Sequence, residues 1–91
     1  MTRVINRHGL KIDGLREACT ETRALSHTHG MRVELLYLKN SGAVVAMKPR
    51  DYERSARPVA DALGFIYVGS TFQPMTMQAI ADAVYRAVME G

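Results

Sequence analysis

Residues 31–48 limit how this chain can fold more than any other stretch. In Arg32-Val33-Glu34-Leu35-Leu36-Tyr37-Leu38 the two-residue period of an extended chain puts Val33, Leu35 and Tyr37 on one face and Leu36 and Leu38 on the other. Asn40-Ser41-Gly42 then supplies a tight turn with glycine in the left-handed position, and Ala43-Val44-Val45-Ala46-Met47 returns. The pattern predicts a hairpin of residues 31–39 and 43–48. A two-stranded ribbon is barely stable alone in water, so the remaining sequence has to cover it.

The flanking segments supply that cover. Leu15, Ala18, Cys19, Thr22 and Leu25 recur at helical spacing behind Asp13, an expected N-cap. They predict a helix from Gly14 to Leu25 or Ser26, stopping before Gly30, with Arg16, Glu17, Glu21 and Arg23 on its wet side. Residues 48–54 read as a loop or a single helical turn. Ser55 is then expected to cap a helix with Pro58 in its first turn, Val59, Ala62 and Leu63 as its inner face, and Gly64 at its end. The unbroken apolar run Phe65-Ile66-Tyr67-Val68 predicts a third strand over 65–69, covered on both faces. A last helix starts near Met75 or Thr76 and lines up Met77, Ile80, Ala81, Val84 and Val88.

The predicted order is α-β-β-α-β-α. It describes an α/β (α+β) domain with a small, single-layer mixed sheet built on the central hairpin. A strand over residues 2–6 would turn this into the ferredoxin-like order. A length of 91 residues allows one domain, 1–91, with 1–12 as an irregular N-terminal segment.

Charge is distributed unevenly. The net charge is +3, from twelve basic and nine acidic residues, and nine of the basic residues are Arg. Residues 1–30 carry +2, residues 31–57 carry +3 and residues 58–91 carry −2. An apolar content of 47% excludes a disordered chain, and no apolar run approaches the roughly 18 residues of a membrane span. One cysteine, Cys19, allows no internal disulfide and fits a reducing cytoplasm. Residues 1–7 lack the apolar run of a signal peptide.

Motifs for chemistry are sparse. His27 and His29, with Cys19 or His8, have neither CxxC nor HExxH spacing and read as solvent-facing, so no metal or cofactor is expected. Cys19 falls on the apolar stripe of the first helix, where a thiol is inert. Gly69-Ser70-Thr71 is separated from the last helix by Phe72-Gln73-Pro74 and lacks the spacing of a phosphate loop. Residues 43–47 have no aromatic for an RRM surface, and no GXXG loop of a KH domain occurs. The chain reads as a binding protein rather than an enzyme.

The densest charged segment is the candidate contact. Lys48, Arg50, Arg54 and Arg57 surround Tyr52, interrupted by Asp51 and Glu53. Arg and Tyr are frequent anchors of protein interfaces, and the same side chains suit phosphates and bases. The expected function is a small regulatory protein that occupies a surface of a larger protein partner, in the manner of phage or mobile-element inhibitors of host machinery. Nucleic acid is the second candidate partner, and no membrane partner is expected. A homodimer is expected as well, because a three-stranded sheet has open edges. The edge at Met31 to Leu38 or the last helix, with Tyr85 and Met89 off its main stripe, would serve.

The run from residue 13 to 69 resembles, in order of elements, the trunk of small PD-(D/E)xK nucleases. It passes from a helix through the strand bearing Glu34, a turn, Val44-Val45-Ala46-Met47-Lys48, a helix and Leu63-Gly64-Phe65-Ile66-Tyr67-Val68. In that family a carboxylate and a lysine two residues apart hold Mg²⁺ beside the scissile phosphate. Lys48 matches the lysine, Ala46 stands where the acid belongs, and Glu34, Glu17 or Glu21 would supply only part of a metal shell. The resemblance implies a degenerate nuclease-like trunk that binds nucleic acid without cutting it.

Overall fold

The computed structural model describes residues 9–90. Its centre is the hairpin of β1 (Val33–Leu38) and β2 (Ala43–Met47), paired antiparallel with Tyr37 opposite Val44 and Leu35 opposite Ala46. Gly42 closes the turn at φ +76° and donates its N–H to the Leu38 carbonyl at 2.8 Å. A Cβ there would lie 2.7 Å from the Lys11 carbonyl oxygen, so both backbone angle and space demand glycine.

β3 (Phe65–Thr71) pairs antiparallel with the other side of β1, giving the order β2-β1-β3. The sheet is therefore antiparallel throughout, not mixed. The crossover between β2 and β3 does make those two strands parallel to each other, but β1 lies between them. With both sides of β1 occupied, residues 31–38 offer no edge for a second copy. The outer side of β2 is met by Asp13, whose N–H donates to Gly42 O at 2.7 Å and whose carbonyl accepts from Val44 N–H at 2.8 Å. The strand considered for residues 2–6 lies outside the described residues.

β3 is longer than the predicted 65–69. Leu35 faces Gly69 while Leu36 faces Tyr67, so Val68 is an extra residue in a bulge, with Gly69 at φ +147°. Pairing then resumes, and Ser70 and Thr71 sit opposite Glu34 and Val33 as strand rather than connection. β3 meets the core with Ile66 and Val68 and Tyr52 with Phe65 and Tyr67, so both faces are partly covered, but as an edge strand it leaves Tyr67 43% exposed.

Two helices cover the Val33/Leu35/Tyr37 face. α1 (Leu15–Arg23) continues through a wide π turn, Ala24–Thr28, and so runs slightly past its predicted end. Asp13 does not cap it, because its backbone is committed to β2 and Gly14 holds the N-cap position. The last helix, numbered α3 here (Met77–Glu90), starts behind Thr76, whose Oγ1 accepts the Ala79 N–H at 3.1 Å. Ala18, Tyr37, Val44, Ile80 and Val84 form the buried cluster between these helices and the sheet. Thr22, fully buried, donates to the Cys19 carbonyl at 2.8 Å and accepts the Met75 N–H at 3.2 Å. It ties α1 to the approach of α3. The Cα radius of gyration is 12.4 Å, close to the roughly 12 Å of a compact domain of this length.

Candidate functional site

The segment expected to bind a partner is part of the crossover, residues 49–63, named α2. It is helical from Pro49 onward: of the loop and the single helical turn expected for residues 48–54, the helical turn forms and runs on without a break. Pro49 occupies the first turn, where its missing N–H costs nothing, and Asp51 and Glu53 favour a helix start. Pro58 then cannot donate to the Arg54 carbonyl. The chain responds with a wide π turn at Tyr52–Ala56, a tight turn at Arg57–Val59 and a kink at Val59, before a last α turn, Ala60–Leu63. Ser55 lies inside the π turn instead of capping a helix.

α2 is fastened to the sheet face opposite α1 and α3 by one aromatic side chain. Tyr52 is half-buried, edge-on to Phe65 at a centroid distance of 6.2 Å and tilted against Tyr67 at 5.3 Å. Beneath it the Tyr67 hydroxyl donates to Glu34 Oε2 at 2.8 Å. Glu34 is 4% exposed, and Arg32 Nε lies 3.0 Å from its Oε1 as an ion pair whose N–H is not aimed at that oxygen. Burial, and then the bond to Glu34, push the Tyr67 hydroxyl above the ordinary tyrosine range.

The five predicted site residues divide between two roles. Tyr52 turns inward, while Lys48, Arg50, Arg54 and Arg57 stay exposed. Arg57 is bound by Glu53 at 2.9 Å, and that contact holds its guanidinium more firmly protonated. Among the described residues, Lys48, Arg50 and Arg54 make no ion pair. The pairing of Glu34 with Tyr67 is the feature of this region that the sequence does not announce. A lone acid inside an apolar strand was the available signal, but its partner lies 33 residues away.

No family model matches this chain, and no curated protein and no solved structure is matched by it. The residues of the nuclease-like comparison stay apart. Ala46 packs against the core cluster and Lys48 is exposed. Glu17 and Glu21 sit on α1, across the sheet from Glu34. Among the described residues, no three of His, Cys, Asp and Glu come together, and no helix is long and apolar enough to cross a membrane. His27 and His29 are exposed near the end of α1, and Cys19 is partly buried beside the core.

Proposed function

We propose that this chain is a non-enzymatic binding module that presents Lys48, Arg50 and Arg54 of the α2 region to an acidic surface of a larger protein, blocking that surface by occupying it. The observation that carries this reading is three exposed cations without ion-pair partners among the described residues, on a segment pinned to the sheet by Tyr52. A fixed backbone lowers the ordering cost of binding, and guanidinium groups make bidentate bonds to carboxylates. Nucleic-acid phosphates would take the same cations. Tyr52, however, already spends its ring on Phe65 and Tyr67, which favours the protein partner over a base-stacking one. A cytoplasmic setting and an inhibitory role, like that of phage or mobile-element proteins, accompany this reading.

The test is capture from cell extract at physiological salt, followed by mass spectrometry, with wild type beside the triple variant Lys48→Glu, Arg50→Glu, Arg54→Glu. We expect a protein partner retained by wild type and reduced at least about tenfold by the variant. Undiminished capture by the variant overturns the assignment of the face. A strongly salt-dependent mobility shift of short DNA or RNA, with no protein captured, replaces the reading with nucleic-acid binding.

A further inference from the structure

We propose that β3 and the neighbouring face of α3 form the contact of a symmetric homodimer, in which two β3 strands pair antiparallel and join the sheets into one of six strands. This surface is separate from the basic side of α2 and independent of the function proposed for it.

The edges of the sheet single out β3. β1 is paired on both sides and the outer side of β2 carries the Asp13 bridge, whereas the outer side of β3 has no strand partner among the described residues. Sheet edges are commonly guarded by charge or proline, and Phe65-Ile66-Tyr67-Val68 contains neither. The bulge before Gly69 re-aims the rest of the strand, so it confines pairing to this first half. An antiparallel pair of identical strands is closed by a twofold axis, which stops growth at two copies.

The ground beside this edge suits the same axis. A cleft of about 500 Å³ runs along Ile66 to Val68 and is walled on the other side by Ala83, Arg86, Ala87 and Glu90. Ala83 and Ala87 are small, which lets a second helix approach closely. Arg86 and Glu90 are exposed, of opposite sign and one helical turn apart, and neither makes an ion pair among the described residues. An antiparallel copy sets each Arg86 against the partner's Glu90, so the patch is complementary to itself. Tyr67, 43% exposed, lines the same cleft and adds apolar surface for the second copy to cover.

The experiment is sedimentation equilibrium of the full chain from about 1 to 100 μM, a range that reports micromolar dimers. The expected result is a rise from the 10.1 kDa monomer toward twice that mass. Arg86→Glu and Glu90→Arg each turn two attractive contacts into two repulsive ones and should weaken the dimer by about tenfold or more. Mixing the two variants restores both attractions, as does combining them in one chain, and both arrangements should dimerise like wild type. This rescue separates a broken contact from a misfolded chain. A mass fixed at 10.1 kDa up to about 1 mM leaves the edge to some other strand and overturns the dimer. Single variants as dimeric as wild type, or a mixture that stays monomeric, overturn the geometry proposed for it.

Discussion

The Tyr67 hydroxyl reaches across from β3 to donate a hydrogen bond to Glu34 Oε2 at 2.8 Å, making a buried carboxylate on β1 the footing on which Tyr52 and α2 rest. Replacing Tyr67 by Phe keeps the ring and removes the donor. A buried acceptor left without its bond costs about 1–3 kcal/mol. Urea unfolding of Tyr67→Phe should show a lower midpoint with an unchanged slope, and a Glu34→Gln, Tyr67→Phe cycle should show coupling between the two sites.

Alkaline pH should act through the same hydroxyl. Its folded pKa is raised, by burial first and by the bond to Glu34 second, so the folded state holds this proton more tightly than the unfolded chain does. The resulting stability is fully present below the ordinary tyrosine pKa of about 10 and is lost as pH rises through the higher folded value. Melting temperatures measured from pH 8 to 12 should fall above pH 10, and Tyr67→Phe should flatten part of that fall.

Gly42→Ala should be among the costliest methyl additions in the molecule. It places a Cβ 2.7 Å from the Lys11 carbonyl oxygen and holds alanine at φ +76°. A loss of roughly 1–3 kcal/mol is expected from the backbone angle alone. Calorimetry should register it as a drop of several degrees in Tm, at about 4–8 °C per kcal/mol for a domain of this size.

Thr22→Val preserves shape and deletes a hydroxyl that both donates and accepts. The Met75 N–H loses its acceptor in a partly buried place, so we expect a cost of about 1–3 kcal/mol by urea denaturation. Thr22→Ser keeps both bonds and should be milder.

Charge reversal at Lys48, Arg50 or Arg54 should leave stability within about 0.5 kcal/mol of wild type, since all three are exposed and make no ion pair among the described residues. The same urea titration checks this, and a larger loss would assign these cations a role in folding.

Much of the fold was legible because it rests on local signals. Alternation in 33–38, the Asn40-Ser41-Gly42 turn and the stripe from Met77 to Val88 each act within a few residues of themselves. Misreadings arose where a distant partner decides. Asp13 has the residue type and position of a cap, but β2 takes its backbone. The Phe65–Val68 run reads as a central strand, but no strand beyond β1 flanks it among the described residues. Among four basic residues Tyr52 reads as part of the partner contact, and only the arrival of Phe65 and Tyr67 turns it inward. The sense of the sheet was similarly hidden, because periodicity does not say on which side of β1 the third strand lands.

The Thr22–Met75 bond bears on the order of events in folding. α1 carries a buried hydroxyl whose acceptor role is filled only by an N–H 53 residues further on. Ile80 and Val84, which close the core over Ala18, follow later still. Contacts this distant make loop closure a large part of the folding barrier. Until residue 75 and the helix behind it are available, the hairpin and the first helix have nothing to seal them. The native core is therefore expected to close only once residues 75–90 are free to pack on the hairpin and the first helix.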